Sequence, residues 1–234
     1  MVKIHNLGNF IVNCFVIEQD KGLIIIDSGY PGGFSSFIKK FNKKGFKKED
    51  IKFLFLTHCH DDHVGFYKEL TEFTDAPVIL HPIAAKRLKL GHNPHTHGAS
   101  YKLMQKICIM QKDKEKRFPP IELPDRYLLF NGEQFILDSG MQGKIVNLPG
   151  HTADSIGIML PDGRLIAGDT AMNILLAVKY HPLVLEDLEA LYNSWDYMIN
   201  NARLIITSHG RPIKTDKLVK CRHYMDGKQI LKIY

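Results

Sequence analysis

Thr57-His58-Cys59-His60-Asp61-Asp62-His63-Val64-Gly65 is the stretch on which the reading of this chain turns. It follows a mainly apolar run, Ile51 to Leu56, that reads as a buried strand. Three histidines and two aspartates then fall within six positions. A packed core has no use for that many imidazoles at one strand end, whereas a metal site does, because imidazole and carboxylate are ordinary ligands of borderline-soft divalent ions. The short spacing makes the side chains diverge. His58 and His60 can share one face of the turn, while Asp62 and His63, where a helix begins, can point to a second position. Crowding therefore suggests two metals side by side rather than one.

Composition frames that suggestion. A chain of 234 residues with 44% hydrophobic and 24% charged residues is ordinary for a globular protein. We read residues 1–234 as a single domain with a core large enough not to depend on metal. The net charge is +6 and the pI about 9.0. The lysines are scattered, with modest clusters at Lys39-Lys40, Lys43-Lys44, Lys47-Lys48 and Lys112 to Arg117, and read as solvated surface. No basic stripe is interleaved with aromatics, so no nucleic-acid partner is expected. Cys14, Cys59, Cys108 and Cys221 form no CxxC pair, which is the usage of a reducing compartment. His5, Asn6 and Asn9 interrupt any signal-peptide core, and no apolar run spans a bilayer, so the expectation is a cytoplasmic protein without a membrane partner. The oligomeric state is open, a homodimer included.

The elements fall in order around the opening stretch. Phe10 to Ile17 and Leu23 to Ile26 suit two strands of a hairpin, the second ending at Asp27. Phe34 to Lys44 has helical spacing and Gly45 suits its end. Val64 to Phe73 reads as a helix, Pro77 to Leu80 as a strand, and Pro82 to Leu90 as a helix with proline in its first turn. Residues 91–98, with His92, His95 and His97, read as an irregular polar loop, with a lid or an accessory metal site as the alternatives, and Ser100 to Gln111 reads as a helix. Lys112 to Pro124 is a connector. Tyr127 to Phe130 and Gln134 to Leu137 flank Asn131-Gly132 and read as a hairpin. Lys144 to Leu148 is a strand ending in Pro149-Gly150-His151-Thr152. Ser155 to Leu160 and Arg164 to Ala167 flank Pro161-Asp162-Gly163 as another hairpin, followed by Gly168-Asp169-Thr170. Leu183 to Asn200 and Thr215 to Met225 read as helices around a strand, Arg203 to Thr207, that ends in Ser208-His209-Gly210.

The two halves rhyme. Each has a strand ending in an acid, then a helix, then a strand ending near a histidine: Asp27 and His58, then Asp169 and His209. In sheet-based α/β folds ligands collect at such strand ends. Taken singly, a histidine after a strand is an ordinary hydrogen-bonded residue. Taken together, Thr57 to Gly65, Pro149 to Thr152, Gly168 to Thr170 and Ser208 to Gly210 form a specific series.

That series resembles the metallo-β-lactamase superfamily, in the family's motif order, over about Phe10 to Pro212. The resemblance implies an α+β fold, an αββα four-layer sandwich with two mixed β-sheets flanked by helices. It implies that His58, His60 and His151 hold one metal, that Asp62, His63 and His209 hold the second, and that Asp169 bridges. Asp27 matches an early family acid that supports the ligand loop, a role suited to fixing an imidazole tautomer. The implied cofactors are two divalent ions, zinc first, with iron or manganese as alternatives. Two cations about 3.5–4 Å apart can acidify a shared water and present hydroxide to a carbonyl or phosphoryl centre. Asp62 can in addition orient that nucleophile or take its proton, which makes it the catalytic residue.

Departures from family branches narrow the expectation. Asp169 argues against an antibiotic-degrading member. The roughly 25 residues after His209 are too few for a glyoxalase II helical domain. Met172 stands where lactonases of this family carry tyrosine, and His60 where diiron oxygen reductases carry glutamate. The expected function is a stand-alone hydrolase of an ester, thioester or lactone, acting on a small-molecule substrate. The alternatives are a mononuclear iron sulfur dioxygenase, a phosphodiesterase, or a silent binding protein. Asn173, Lys179, Tyr180 and His181 follow the bridging acid and are assigned to the substrate pocket, with an ordinary loop as the competing reading. Cys59 and Trp195 are assigned to packing.

Overall fold

The computed structural model describes residues 2–91, 98–100, 102, 105–106, 118–130, 134–135, 140–228 and 231–232. The first sheet contains β1 (Lys3–Asn6), β2 (Phe15–Gln19), β3 (Gly22–Ile26), β4 (Ile51–Phe55), β5 (Val78–Leu80) and β7 (Tyr127–Leu129), in the order β1-β2-β3-β4-β5-β7. The second contains β8 (Gln134–Phe135), β9 (Lys144–Asn147), β10 (Ile156–Met159), β11 (Arg164–Ile166), β13 (Leu204–Ile206) and β14 (Ile213–Lys214), in the order β14-β13-β11-β10-β9-β8. A small sheet joins β6 (Gly98–Ala99) to β12 (Val184–Leu185) and β15 (Leu231–Lys232). The helices are α1 (Phe34–Lys43), α2 (Asp61–Val64), α3 (Tyr67–Phe73), α4 (Pro82–Leu90), α5 (Leu188–Asn201) and α6 (Thr215–Val219).

Period-two alternation along the strands builds four layers. Val16, Ile25, Leu54 and Leu80 face Phe37 and Phe41 of α1, Tyr67 and Leu70 of α3, and Ala84 and Leu88 of α4. Their neighbours Ile17, Ile24, Phe55 and Ile79 face the other way, against Ile145, Ile158, Ile166 and Ile206 of the second sheet. On the far side of that sheet, Val146, Leu165 and Ile205 meet Leu191, Trp195 and Met198 of α5. The central strands β3, β4, β5, β10, β11 and β13 are thus buried on both faces, which is why they read as mainly apolar runs rather than alternating ones. Removing such a side chain, for example Phe55→Ala, costs about 3–5 kcal/mol. The architecture is the αββα sandwich.

Each half contains an antiparallel pair followed by a parallel one: β2-β3 then β3-β4, and β10-β11 then β11-β13. Parallel strands put their C-terminal ends at the same edge. Ile26, Phe55, Ile166 and Ile206 therefore deliver Asp27, His58, Asp169 and His209 to one rim. Hydrogen bonds across that rim lock the two sheets together: Ile156 N–H to Thr57 O at 2.9 Å and Asn13 N–H to Ser208 O at 2.8 Å.

Several expected elements differ from those observed. Lys3–Asn6 forms β1, which the sequence reading passed over, and residues 10–14 are not strand. Asn9 Oδ1 accepts the amides of Ile11 and Val12 at 2.8 and 3.0 Å, so the chain turns there and Phe10 is left exposed. The expected helix from Val64 is two helices, because Gly65 N–H bonds Gly29 O at 2.8 Å instead of continuing the helix. A Cβ at Gly65 would meet Gly29 O at 2.3 Å, so only glycine allows this approach. The long C-terminal helix starts at Leu188 rather than Leu183. Val184 pairs with Ala99, and Asp187 Oδ1 caps Ala190 N–H at 2.9 Å. The last helix ends at Val219.

The Asn131-Gly132 hairpin is also corrected. Leu128 pairs in parallel with Ile79, while Gln134 pairs antiparallel with Ile145, so the flanking strands belong to different sheets. The turn residues themselves, the 92–97 part of the 91–98 loop and most of the expected 100–111 helix lie outside the described residues.

Candidate metal centre

Five histidines and three aspartates meet at the shared rim. His58 and His60 leave β4 on an extended turn, with His60 as the N-cap of α2. Asp62 and His63 lie within α2, so the turn of the helix directs them away from the first pair. His151 comes from the loop after β9, Asp169 from the turn after β11, and His209 from the loop after β13. His58 and His63 are fully buried, and His60, His151, Asp169 and His209 are buried. Asp62 is the most exposed of the set, its side chain 15% accessible.

The nitrogens form two groups. His60 Nδ1 lies 3.1 Å from His58 Nε2 and 3.0 Å from His151 Nε2. His209 Nε2 lies 3.1 Å from Asp62 Oδ2, and His63 Nε2 lies 3.7 Å from Asp62 Oδ1. Asp169 Oδ2 stands between the groups, 3.2 Å from His209 Nε2, 3.5 Å from His63 Nε2 and 3.8 Å from His151 Nε2. The ligand atoms of His58, His60 and His151 lie within 4.8 Å of one another, as do those of Asp62, His63 and His209, and those of His58, His63 and Asp169.

Hydrogen bonds at the far side of four rings assign their tautomers. His151 Nδ1–H donates to Val184 O at 2.8 Å and His209 Nδ1–H to Ile11 O at 2.7 Å. His63 Nδ1–H donates to Asp27 Oδ2 at 2.9 Å. Thr57 Oγ1 donates to Asp27 Oδ2 at 2.7 Å, which leaves its lone pair for His58 Nδ1–H at 3.1 Å. All four Nε2 atoms therefore aim a lone pair inward. His63 Nε2 and Asp169 Oδ1 are buried with no hydrogen-bond partner among the described residues. Buried polar atoms without partners are costly, and a cation satisfies both. The donor set fits a divalent metal at each group.

Electrostatics separates the groups. Burial and neighbouring rings hold His58 and His60 well below the usual histidine range. Burial likewise lowers His151, although Asp169 opposes it. Neutral imidazoles are what a metal requires. At the second group burial also disfavours charge, but the carboxylates outweigh it. Asp169 and Asp62 push His209 up to about 10, and Asp62, Asp169 and Asp27 push His63 well above the usual range. Asp62 and Asp169 are in turn held ionised by His63 and His209, against burial. Without a metal, protons on these rings occupy the role of a cation, and metal binding displaces them.

A family model described as the metallo-beta-lactamase superfamily matches residues 7–209. The chain belongs to the metallo-beta-lactamase superfamily. Members of this superfamily bind divalent metals, typically zinc, and are mostly metal-dependent hydrolases. The chain is 26% identical over 181 residues to the probable metallo-hydrolase YflN of Bacillus subtilis, covering 73% of this chain and 65% of that protein. It is 31% identical over 155 residues to the hydroxyacylglutathione hydrolase GloC of Haemophilus influenzae, covering 63% and 60%. It thus spans less than two thirds of either relative. Among solved structures, the archaeal superfamily protein ST1585 from Sulfolobus tokodaii superposes with a TM-score of 0.67 at 18% identity, covering 99% of this chain and 89% of that one. No helix among the described residues is long and apolar enough to cross a membrane.

The four residues assigned to the substrate pocket are placed differently from one another. His181 is fully buried, with its ring centroid 4.4 Å from that of Trp195, and burial lowers it to about 4. Tyr180 packs partly on the α5 core, and Lys179 and Tyr180 both have positive φ, at 53° and 67°. Asn173 N–H donates to His209 O at 3.0 Å and its side chain to Arg211 O at 2.9 Å, which ties the Asp169 and His209 loops together. Cys59 is buried in the α1-side core. Arg87, Asp154 and Glu186, which bond to the ligand loops, were not singled out in the sequence.

Proposed function

We propose that this protein is a dinuclear metal-dependent hydrolase acting on an ester, thioester or lactone. The observation that carries the reading is the position of Asp169 Oδ2, within 3.8 Å of histidine nitrogens from both groups. A carboxylate so placed can serve both metals. His58, His60 and His151 would hold the first, and Asp62, His63 and His209 the second. Two such cations would supply Lewis acidity and would lower the pKa of a bound water.

The protein's own groups do the rest. Asp27, Asp62 and Asp169 place three carboxylates in the centre, which would offset most of the charge of two divalent cations. Asp62, the most exposed of the ligands, orients the attacking water and accepts its proton. Val184 O, Ile11 O, Thr57 and Asp27 keep the imidazoles from rotating. Phe10 and Ile11 lie beside the carbonyl that fixes His209, and Leu175 and Leu176 follow the Asn173 tie; all four side chains are exposed. Exposed apolar side chains on these two loops would suit the carbon skeleton of an acyl substrate. Similarity to a hydroxyacylglutathione hydrolase supports the thioester class.

The test is metal analysis of the purified protein together with a panel of thioesters, lactones and esters under zinc, manganese and iron. The expected result is two equivalents of metal and turnover within that panel. One equivalent of iron with oxygen uptake on persulfides would replace the reading with a sulfur dioxygenase.

A further inference from the structure

A buried ion network links the two loops that carry the first nitrogen group. Arg87 lies in α4, Asp154 three residues after His151, and Glu186 just past β12. Asp154 is fully buried, and the Arg87 and Glu186 side chains are 15% and 10% exposed. The Arg87 guanidinium donates to Asp154 Oδ1 through one nitrogen and to Glu186 Oε1, at 3.0 Å, through the other. Each carboxylate then uses its second oxygen on the backbone of a ligand loop. Asp154 Oδ2 accepts the amide of Cys59, between His58 and His60, at 2.8 Å. Glu186 Oε2 accepts the amide of Ala153, two residues past His151, at 2.7 Å. Glu186 N–H bonds the carbonyls of Gly150 and His151 at 2.9 and 3.1 Å, and Val184 O fixes the His151 ring.

Burying two carboxylates and a guanidinium carries a desolvation cost that apolar side chains of the same volume avoid. What apolar side chains cannot do is accept two particular backbone amides on loops from opposite sheets. We propose that Arg87, Asp154 and Glu186 are positioning residues for the first metal position, an inference that rests on the metal-centre reading above. They hold the His58–His60 turn against the His151 turn, so that His58 Nε2, His60 Nδ1 and His151 Nε2 converge. The second position is braced by other groups: Asp27 on His63, Ile11 O on His209. The network therefore governs one metal and not the other. A planar fork is needed, because one guanidinium must hold two carboxylates at fixed spacing, and lysine offers only a point charge.

The test is cobalt(II) titration of the metal-free full chain, read by visible absorption, for wild type, Arg87→Met, Arg87→Lys and Asp154→Asn. His151→Ala assigns which binding step belongs to the first position. Wild type is expected to bind two equivalents. Arg87→Met is expected to weaken the first-position step by about 10- to 100-fold and change its absorption band, with the other step unaltered. Arg87→Lys restores part of that loss. Melting of the metal-free proteins reports the fold independently; should Arg87→Met not fold, Asp154→Asn carries the same comparison. Equal weakening of both steps, or of neither, overturns the inference. Failure of wild type to bind two equivalents overturns the dinuclear reading instead.

Discussion

Asp27→Asn isolates one hydrogen-bonding group that serves both metal positions. Asp27 Oδ1 accepts Thr57 N–H at 2.8 Å, and Oδ2 accepts both Thr57 Oγ1–H and His63 Nδ1–H, at 2.7 and 2.9 Å. Asparagine has the same shape and suits the backbone, since Asp27 sits at φ 57° and asparagine tolerates that region well. The amide can keep the Thr57 N–H bond only by turning its NH₂ towards Oγ1 and Nδ1, two groups that now donate. One answer is for His63 to exchange tautomers, which puts a hydrogen on Nε2, the atom that faces Asp62 and Asp169. The other is for Thr57 to turn its hydroxyl hydrogen from position 27 to His58 Nδ1, which moves the His58 ring hydrogen to Nε2. Either way an inward lone pair is lost. A hydrogen bond to a charged group contributes about 1.5–3 kcal/mol, and at about 1.4 kcal/mol per tenfold this corresponds to roughly 10- to 100-fold in metal affinity. The assay is zinc affinity in a metal-buffered titration, with melting of the metal-free protein as the control for folding. Unchanged affinity at both positions in a folded Asp27→Asn protein would refute the tautomer argument.

Two further outcomes follow from the same geometry. Asp169→Ala is expected to abolish tight binding of the second metal and most activity; two retained equivalents of zinc, measured by atomic emission, would mean that Asp169 is not the bridge. His181 gives a pH dependence. Its pKa is lowered from the usual value of about 6.5 to about 4, so the unfolded chain takes up a proton that the native ring refuses. Its contribution is complete above about pH 6.5 and falls by about 3 kcal/mol as the pH drops to about 4. Urea unfolding of the metal-free protein should show His181→Phe losing less stability than wild type between pH 7 and pH 4. Parallel losses would show that His181 is not the titrating group.

Local chemistry was legible where a short stretch carries its own constraint. Apolar runs of four to six residues ending in a turn former gave β3, β4, β5, β9, β10, β11 and β13, because strands buried on both faces show no other pattern. Pro161-Asp162-Gly163 gave its hairpin. Asn131-Gly132 misled, since the partners of the flanking strands lie in different sheets and no local turn preference records that. Phe10 to Asn13 misled in a similar way: its apolar residues flank an asparagine turn whose carbonyl at Ile11 is needed by a histidine 198 positions away.

The metal centre divides along the same line. Residue types and motif order in the sequence by themselves determined the seven candidate ligands, because ligand chemistry lives in side-chain identity, and the sandwich followed from the family resemblance those motifs carry. Tertiary structure alone decided which nitrogen of each ring faces inward and which buried side chains brace the loops. It also moved His181 from an expected pocket to the packing beside Trp195. Those outcomes depend on hydrogen-bond partners contributed by distant strands, and a partner's distance in space is not encoded in spacing along the chain.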